Sequence, residues 1–286
     1  MTSAELPQLD ADTRLLLAPL RARGVSVTAA VWDDARVDWP SFDLAVIRSC
    51  WDYVPRREEF VRWAAGVKRL ANPAAVVAWN TDKRYLRDLA DRGVSVVPTT
   101  WVEPHEDWEP PDGEYVIKPA VSISSRDTGR YRTADPEHRR IAGEHVRRLQ
   151  RDGRTVMVQP YLRGVETDGE TALVYLGGAF SHAMRKGAVL DGPDRGVRLS
   201  HETSPGLEPR QPTAAQVAVA VQALAAAPGG SGELLYARVD VVPGSDGDPL
   251  LMELELTEPT LYLARAPEAA ERFANAIADR AATRAG

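Results

Sequence analysis

The sequence predicts a mixed α/β protein, an α+β assembly of three modules, and three observations carry that prediction. Apolar strands alternate with amphipathic helices up to about residue 79, as in a small domain built on a parallel sheet. Strand-like runs then flank an acidic, proline-rich loop and a charged helix. From residue 170 onward strands dominate, and the last of them, "LLMELELTEPT", sets Glu253 and Glu255 among leucine and methionine.

In chain order, "TRLLLAPLRARGVSVTAAVW" predicts a helix, a stop at Gly24 and an alternating strand. "FDLAVIRSCWDY" follows as a buried strand ending in polar and aromatic residues, and "RREEFVRWAAGVKRL" as an amphipathic helix. A further helix opens at "NTDKRYLRDLADRG", with Asn80 or Thr81 as N-cap and Gly93 as the stop. "VSVVPTTWV" and "EYVIKPA" are strands on either side of "EPHEDWEPPDG". The polar loop "SISSRDTGRY" precedes a charged helix through "EHRRIAGEHVRRLQRDG", and the strand "TVMVQPYL" leads into the third module. There "ETALVYLGGAFSHAMRKG" and the hairpin "LLYARVDVVPGSDGDPLLMELEL" accompany helices at 213–227 and 267–283. No repeat or low-complexity tract interrupts the pattern. The expected modules span residues 1–79, 80–158 and 159–286.

A chain of 286 residues with 44% apolar and 27% charged side chains has the makings of real cores. The net charge of −6 and the pI near 5.5 argue against a broad nucleic-acid-binding surface but leave room for a local basic site. Cys50 is the only cysteine, which excludes an internal disulfide and a cysteine-rich zinc site. The start "MTSAELPQLD" has no basic and apolar leader pattern, and the most apolar stretch, "AAQVAVAVQALAAAP", reads as a helix of about three turns. The expectation is a cytoplasmic protein with neither nucleic-acid nor membrane partners.

The acidic hairpin poses the chemical question. Residues two apart on a strand share a face. Two carboxylates roughly 7 Å apart repel by about 2.4 kcal/mol at an effective dielectric of about 20, before any desolvation cost. Across the turn "PGSDGD", pairing Val242 with Pro249 puts Asp240 opposite Leu251 and Arg238 opposite Glu253. That register gathers Arg238, Asp240, Glu253 and Glu255 on one face. Such an oxygen-rich cluster suits Mg²⁺, whose charge offsets the repulsion; a solvated strand face is the plainer alternative.

Two lysines complement the acids. Lys83 falls in the first turn of its helix on the face of Leu86 and Ala90, pointing inward, and Lys118 ends "YVIK". Each alone resembles an ordinary surface lysine; together they suit a polyphosphate. The loop "SISSRDTGR" offers hydroxyls and backbone amides that can wrap phosphate oxygens, or is a surface loop. In "VQPYL", Pro160 interrupts a strand ladder and frees neighbouring groups for an adenine edge. "RSCWDY" ends a parallel strand, where α/β sheets bind ligands, so Arg48 is placed to hold a carboxylate with Trp51 and Tyr53 shaping the pocket. Aromatic packing is the competing account, and Cys50, with no base near it in sequence, is not expected to be a nucleophile.

The order of these parts resembles the ATP-grasp fold in its glutathione-synthetase-like branch, over nearly the whole chain. "VIRSCWDY", "DKRYL", "DTGRY", "QPY", "GET", "SHAMRKGAVL" and "ELELTEP" are together similar to the cycloserine-synthetase family, ATP-dependent cyclo-ligases acting on O-ureido-D-serine. The resemblance implies an N-terminal substrate domain followed by two α+β subdomains clasping ATP. It assigns Lys83 and Lys118 to the phosphates, and Ser124, Ser125 and Arg126 to a closing phosphate loop. Gln159, Tyr161 and Leu162 become the adenine connector, with Glu170, or else Glu166, on the ribose. Arg185 faces the γ-phosphate, assisted by Lys186 and Arg198. Asp240, Glu253 and Glu255 hold one or two Mg²⁺ ions, with Mn²⁺ as a substitute; many relatives carry asparagine where Glu255 stands. The branch often self-associates, so a homo-oligomer is expected.

The implied reaction is ADP-forming ligation of a carboxylate to an amine on a small amino-acid-like substrate, through an acyl phosphate. Positioning and charge neutralisation drive its first step rather than a protein nucleophile. With both groups on one molecule the reaction becomes ring closure. The rivals are joining of two separate molecules, as in peptide ligation, and a nucleotide-binding sensor without chemistry.

Overall fold

A computed structural model of the chain describes residues 1–194 and 206–283. The elements in order are α1 (Ala11–Arg14), α2 (Leu17–Ala22), β1 (Ala45–Val46), α3 (Arg57–Gly66), β2 (Leu70–Ala71), α4 (Ala74–Asn80), α5 (Tyr85–Asp91), β3 (Thr100–Val102), β4 (Glu114–Pro119), β5 (Gly129–Arg132) and α6 (Pro136–Arg151). They continue with β6 (Val156–Pro160), α7 (Gly164–Thr167), β7 (Glu170–Leu176), β8 (Ala179–Lys186), β9 (Glu208–Pro209), α8 (Ala214–Ala226), β10 (Tyr236–Pro243), β11 (Pro249–Glu255) and α9 (Ala269–Thr283). Among the described residues no helix is long and apolar enough to cross a membrane.

The N-terminal region is built as the alternation predicts, with shorter strands. β1 and β2 pair in parallel. The strand expected after Gly24 does not form a ladder among the described residues; Val31 makes a single parallel bridge to Thr2, which also bridges Ser49. Its core is aromatic, with Trp32 set edge-on to Phe60 at 5.1 Å and Ile47, Ala64 and Val77 around them.

The helix expected from residue 80 is two helices. Thr81 ends α4, donating its hydroxyl back to Val77, and Asn80 spends its side chain elsewhere, so neither caps a new helix. The Lys83 amide bonds the Ala120 carbonyl at 2.9 Å, which holds the chain out of helix until Tyr85. Lys83 therefore lies ahead of α5 rather than in its first turn. It still points inward, at 8% exposure, while Ala90 is exposed.

Two larger sheets follow. The four-stranded sheet runs β3-β6-β4-β5 and packs Tyr115, Ile117 and Val158 on Ala142, Val146 and Leu149 of α6. Asp135 caps that helix by accepting from the amides of Glu137 and His138. The five-stranded sheet runs β11-β10-β7-β8-β9. α8, opened by a Thr213–Gln216 capping box, covers one face together with α4 and α5, whose Val76, Leu86 and Leu89 join Leu173, Val239 and Leu254. α9 and α2 cover the other, where Phe273, Ile277 and Leu20 meet Val174, Met184 and Tyr236. Val76, Tyr85, Leu86, Leu89 and Val94 thus pack on the five-stranded sheet, although β3 to β6 build a separate core.

Two buried asparagines fasten the early chain to the last hairpin. The Asn72 amide donates to the carbonyls of Tyr236 (2.9 Å) and Leu256 (2.8 Å) and accepts from the Leu235 amide (2.7 Å). Asn80 donates to the Leu254 carbonyl and accepts from the Leu256 amide, both at 2.7 Å.

The hairpin register differs from the expected one by a β-bulge. Arg238 faces Glu255 and Asp240 faces Glu253, but Val241 faces Leu251, so Met252 is the extra residue. In the unbulged register Leu251 would share the face of Asp240. The bulge reverses that parity: Leu251 turns fully into the core while both glutamates stay beside Asp240.

Candidate active site

A cavity of about 280 Å³ lies between the two larger sheets. Its walls are the acidic face of β10 and β11, the ends of β4 and β6, the loop 122–128, the start of β7 and end of β8, and residues 187–190. Trp51 and Tyr53 from the N-terminal region and the loop after β11 complete the lining. Of the residues expected at a site, Lys83, Lys118, Ser124, Ser125, Gln159, Tyr161, Leu162, Glu170, Lys186, Asp240, Glu253, Glu255, Trp51 and Tyr53 line this one space.

Four others among the described residues do not join them. Arg48 is buried away from the cavity, donating Nη2 to the Pro259 carbonyl at 2.9 Å with its guanidinium over the Tyr236 and Phe273 rings, so it packs rather than faces a ligand. Arg185 lies on the opposite face of β8 from Lys186, donating to the carbonyls of Asp168 (2.9 Å) and Thr167 (3.1 Å). Strand alternation thus makes Lys186, the expected helper, the cation that faces the cavity. Glu166 pairs with Arg130 at 2.7 Å and accepts from the Tyr161 hydroxyl at 3.1 Å outside the cavity, whereas Glu170 lines it. Arg126 sits in the phosphate-loop segment but off the cavity wall. Arg198 lies outside the described residues. Ser124, Ser125 and Asp127 hold φ of 50°, 53° and 54°, a conformation that costs a non-glycine residue energy and clusters at ligand-clamping loops.

Four buried or nearly buried cations supply the charge that the hairpin acids require. Lys83 Nζ stands 3.0 Å from Glu253 Oε1. Lys186 Nζ stands 2.8 Å from Asp240 Oδ2 and also contacts Glu170. Arg238 forks onto Asp240 at 2.8 and 2.9 Å and contacts Glu255. Burial works to raise Asp240, but Arg238 and Lys186 overcome it and hold its carboxyl far below the usual range. Burial likewise opposes Glu253, which Lys83 and Lys118 hold low. Glu255 is pushed up to about 7 by burial, against the pull of Arg238 and with Glu253 adding repulsion. Burial also raises Glu170 to about 7 and lowers Lys118 to about 8. Such displaced values mark groups in a desolvated, charged cleft.

Among the described residues no three acid, histidine or cysteine side chains converge as a ready-made metal site; the carboxylates are turned onto cations instead. The donor set is nevertheless all hard oxygen on one sheet face, the chemistry that Mg²⁺ takes and that softer metals do not favour. Cys50, fully buried with its thiol pushed up to about 12 by burial, takes no part.

Sequence reasoning missed Glu258. It lines the cavity, accepts the Tyr53 hydroxyl at 3.0 Å, and is pushed up to about 8 by burial and by Glu255. The strand-face argument could not reach it, because it stands three residues beyond Glu255, past the end of β11.

Residues 1–72 match the family described as the N-terminal domain of D-cycloserine synthetase DcsG. Over 98% of its length the chain is 39% identical to the cycloserine biosynthesis protein DcsG of Streptomyces lavendulae, covering 97% of that protein. The crystal structure of D-cycloserine synthetase DcsG superposes with a TM-score of 0.86, at 38% identity and 98% coverage of each chain. The D-alanine–D-alanine ligase of Bacillus anthracis, complexed with ATP, shares the fold at a TM-score of 0.62 and 12% identity, over 96% of this chain and 94% of that one.

Proposed function

The chain belongs to the D-cycloserine synthetase DcsG family of ATP-grasp ligases, and from that premise we propose that it closes a ring within a single substrate molecule through an acyl phosphate. The coarser activity is that of an ATP-dependent carboxylate–amine ligase. The observation that carries the finer reading is the single cavity in which two lysines, three hairpin carboxylates and the N-terminal residues Trp51 and Tyr53 meet.

In this reading ATP is the co-substrate. Gln159, Tyr161 and Leu162 flank its base, Glu170 its ribose, and Lys83, Lys118, Ser124 and Ser125 its phosphates. Asp240, Glu253 and Glu255 would hold Mg²⁺, which supplies charge neutralisation at the phosphates when bound. A substrate carboxylate attacks the terminal phosphorus and becomes an acyl phosphate as ADP departs. Lys186, facing the cavity, balances negative charge there in place of Arg185. A nitrogen of the same molecule then attacks the acyl carbon and phosphate leaves. Trp51, Tyr53 and the loop after β11 line the same cavity as the phosphate-binding side chains, and a substrate held curled there avoids the entropic cost of a second encounter.

The test is ADP release with O-ureido-D-serine as sole substrate beside Mg·ATP, together with mass detection of the cyclic product. Turnover without any added amine is expected. A strict need for a second amine overturns ring closure and leaves an intermolecular ligase.

A further inference from the structure

We propose that Glu258 receives the nitrogen nucleophile and takes its proton as the carbon–nitrogen bond forms. This rests on the ligase reading above and adds the group that completes its second step.

Placement comes first. Glu258 belongs to the loop between β11 and α9 and lines the cavity beside Trp51 and Tyr53. That loop is held from several directions. Trp51 Nε1 donates to the Glu258 carbonyl at 3.0 Å and Arg48 to the Pro259 carbonyl at 2.9 Å. The Asp12 carboxylate accepts the amides of Leu261 (3.0 Å) and Leu263 (2.6 Å), and Arg238 Nη1 donates to the Thr260 carbonyl at 3.0 Å. A side chain carried on so constrained a backbone is held at a fixed aim, as proton transfer requires.

Charge pairing then singles it out. Of the five acids lining the cavity, Glu170 and Asp240 pair with Lys186, Glu253 with Lys83, and Glu255 with Arg238. Among the described residues Glu258 pairs with no cation; its Oε1 accepts the Tyr53 hydroxyl and its Oε2 is left for a substrate group. Once ionised, a carboxylate so placed takes an N–H donor. The electrophilic half of the reaction lies with the cations near Asp240 and Glu253, which line the same chamber as Glu258, so one substrate molecule can meet both.

The step balances. The nitrogen lone pair forms the bond to the acyl carbon, the bond from that carbon to the phosphate oxygen breaks with its electron pair, and the N–H proton passes to Glu258. No oxidant or further reactant is needed.

The experiment uses the full chain with O-ureido-D-serine and Mg·ATP carrying ¹⁸O in the β–γ bridge. Bridge-to-nonbridge scrambling reports carboxylate activation alone; ring product reports both steps. Glu258→Gln is expected to lower kcat for product about 100-fold or more, the scale of lost general-base catalysis, while scrambling persists. Tyr53→Phe, which removes the hydrogen bond to the same carboxylate, should lower product formation about tenfold. Equal loss of scrambling and product in a Glu258→Gln protein that still binds ATP overturns the proposal. So does a rise in KM with kcat unchanged, the mark of a mere anchor. Should Glu258→Gln fail to fold, unchanged product formation in Tyr53→Phe overturns it. Absence of both signals in the unsubstituted protein sinks the ligase reading itself, and this inference with it.

Discussion

Lys83 and Glu253 meet at 3.0 Å, joining the turn before α5 to the last strand of the five-stranded sheet. The lysine is thereby tethered before any nucleotide arrives, and its ammonium also donates to the Ser122 carbonyl at 2.6 Å at the mouth of the phosphate-loop segment. Lys83→Met should weaken ATP binding about tenfold or more, or at least 1.4 kcal/mol. It should also cost about 2 kcal/mol of stability, between the values for exposed and fully buried pairs. Isothermal titration with ATP and thermal melts check both, and unchanged affinity removes Lys83 from the phosphate site.

Arg185 and Lys186 are neighbours in sequence with opposite duties. Lys186→Met strips Asp240 and Glu170 of their shared cation. Turnover should fall about 100-fold or more if that charge serves the transferring phosphoryl group. Arg185→Ala loses two hydrogen bonds to carbonyls on the far face, worth about 1 kcal/mol each at most. Its turnover should stay within about threefold of the original. Steady-state ADP release for the two variants side by side decides the matter; the reverse ranking restores Arg185 to the site.

His145 predicts an acid-sensitive stability. It sits on the buried face of α6, its Nδ1 is 2.8 Å from the Tyr131 hydroxyl, and burial lowers it from 6.5 to about 4. The unfolded chain therefore binds a proton that the folded chain refuses between those values. Stability from the neutral ring is fully present above pH 6.5 and is lost as pH falls toward 4, by about 2 to 3 kcal/mol. Glu170, Glu255 and Glu258, raised by burial, titrate in the same window with the opposite sign, so the His145 share is read as a difference. Between pH 7 and 4.5 the urea midpoint of His145→Gln should shift less toward instability than that of the original protein.

Asn72 carries three backbone hydrogen bonds in a fully buried position. Asn72→Leu strands two carbonyls and an amide, each costing about 1–3 kcal/mol. A loss of at least about 3 kcal/mol, or roughly 10 °C in Tm, is expected from calorimetry.

The sequence disclosed the acidic hairpin, the inward lysines and the order of elements because periodicity, turn residues and motif order are local. It could not disclose the bulge at Met252, since Leu250 and Leu251 are both apolar and either register buries one of them. Nor could it say which neighbour in "MRKG" faces inward, which depends on how β8 pairs with β7. Arg48 was misplaced for a related reason: its strand is only two residues long, so the rule for ligands at strand ends had little strand to act on. Asn80 looked like a helix cap until its partners, about 175 residues away in sequence, claimed both ends of its amide.

The seam between Asp12, Arg48, Trp51 and Tyr53 and the loop carrying Glu258 has a consequence for recombination among relatives. The first 72 residues cannot be grafted from a cousin as an independent specificity cassette. Their carboxylate, guanidinium, indole and phenol contacts dictate the shape of a segment more than two hundred residues downstream, so a productive chimera has to inherit both pieces from the same parent.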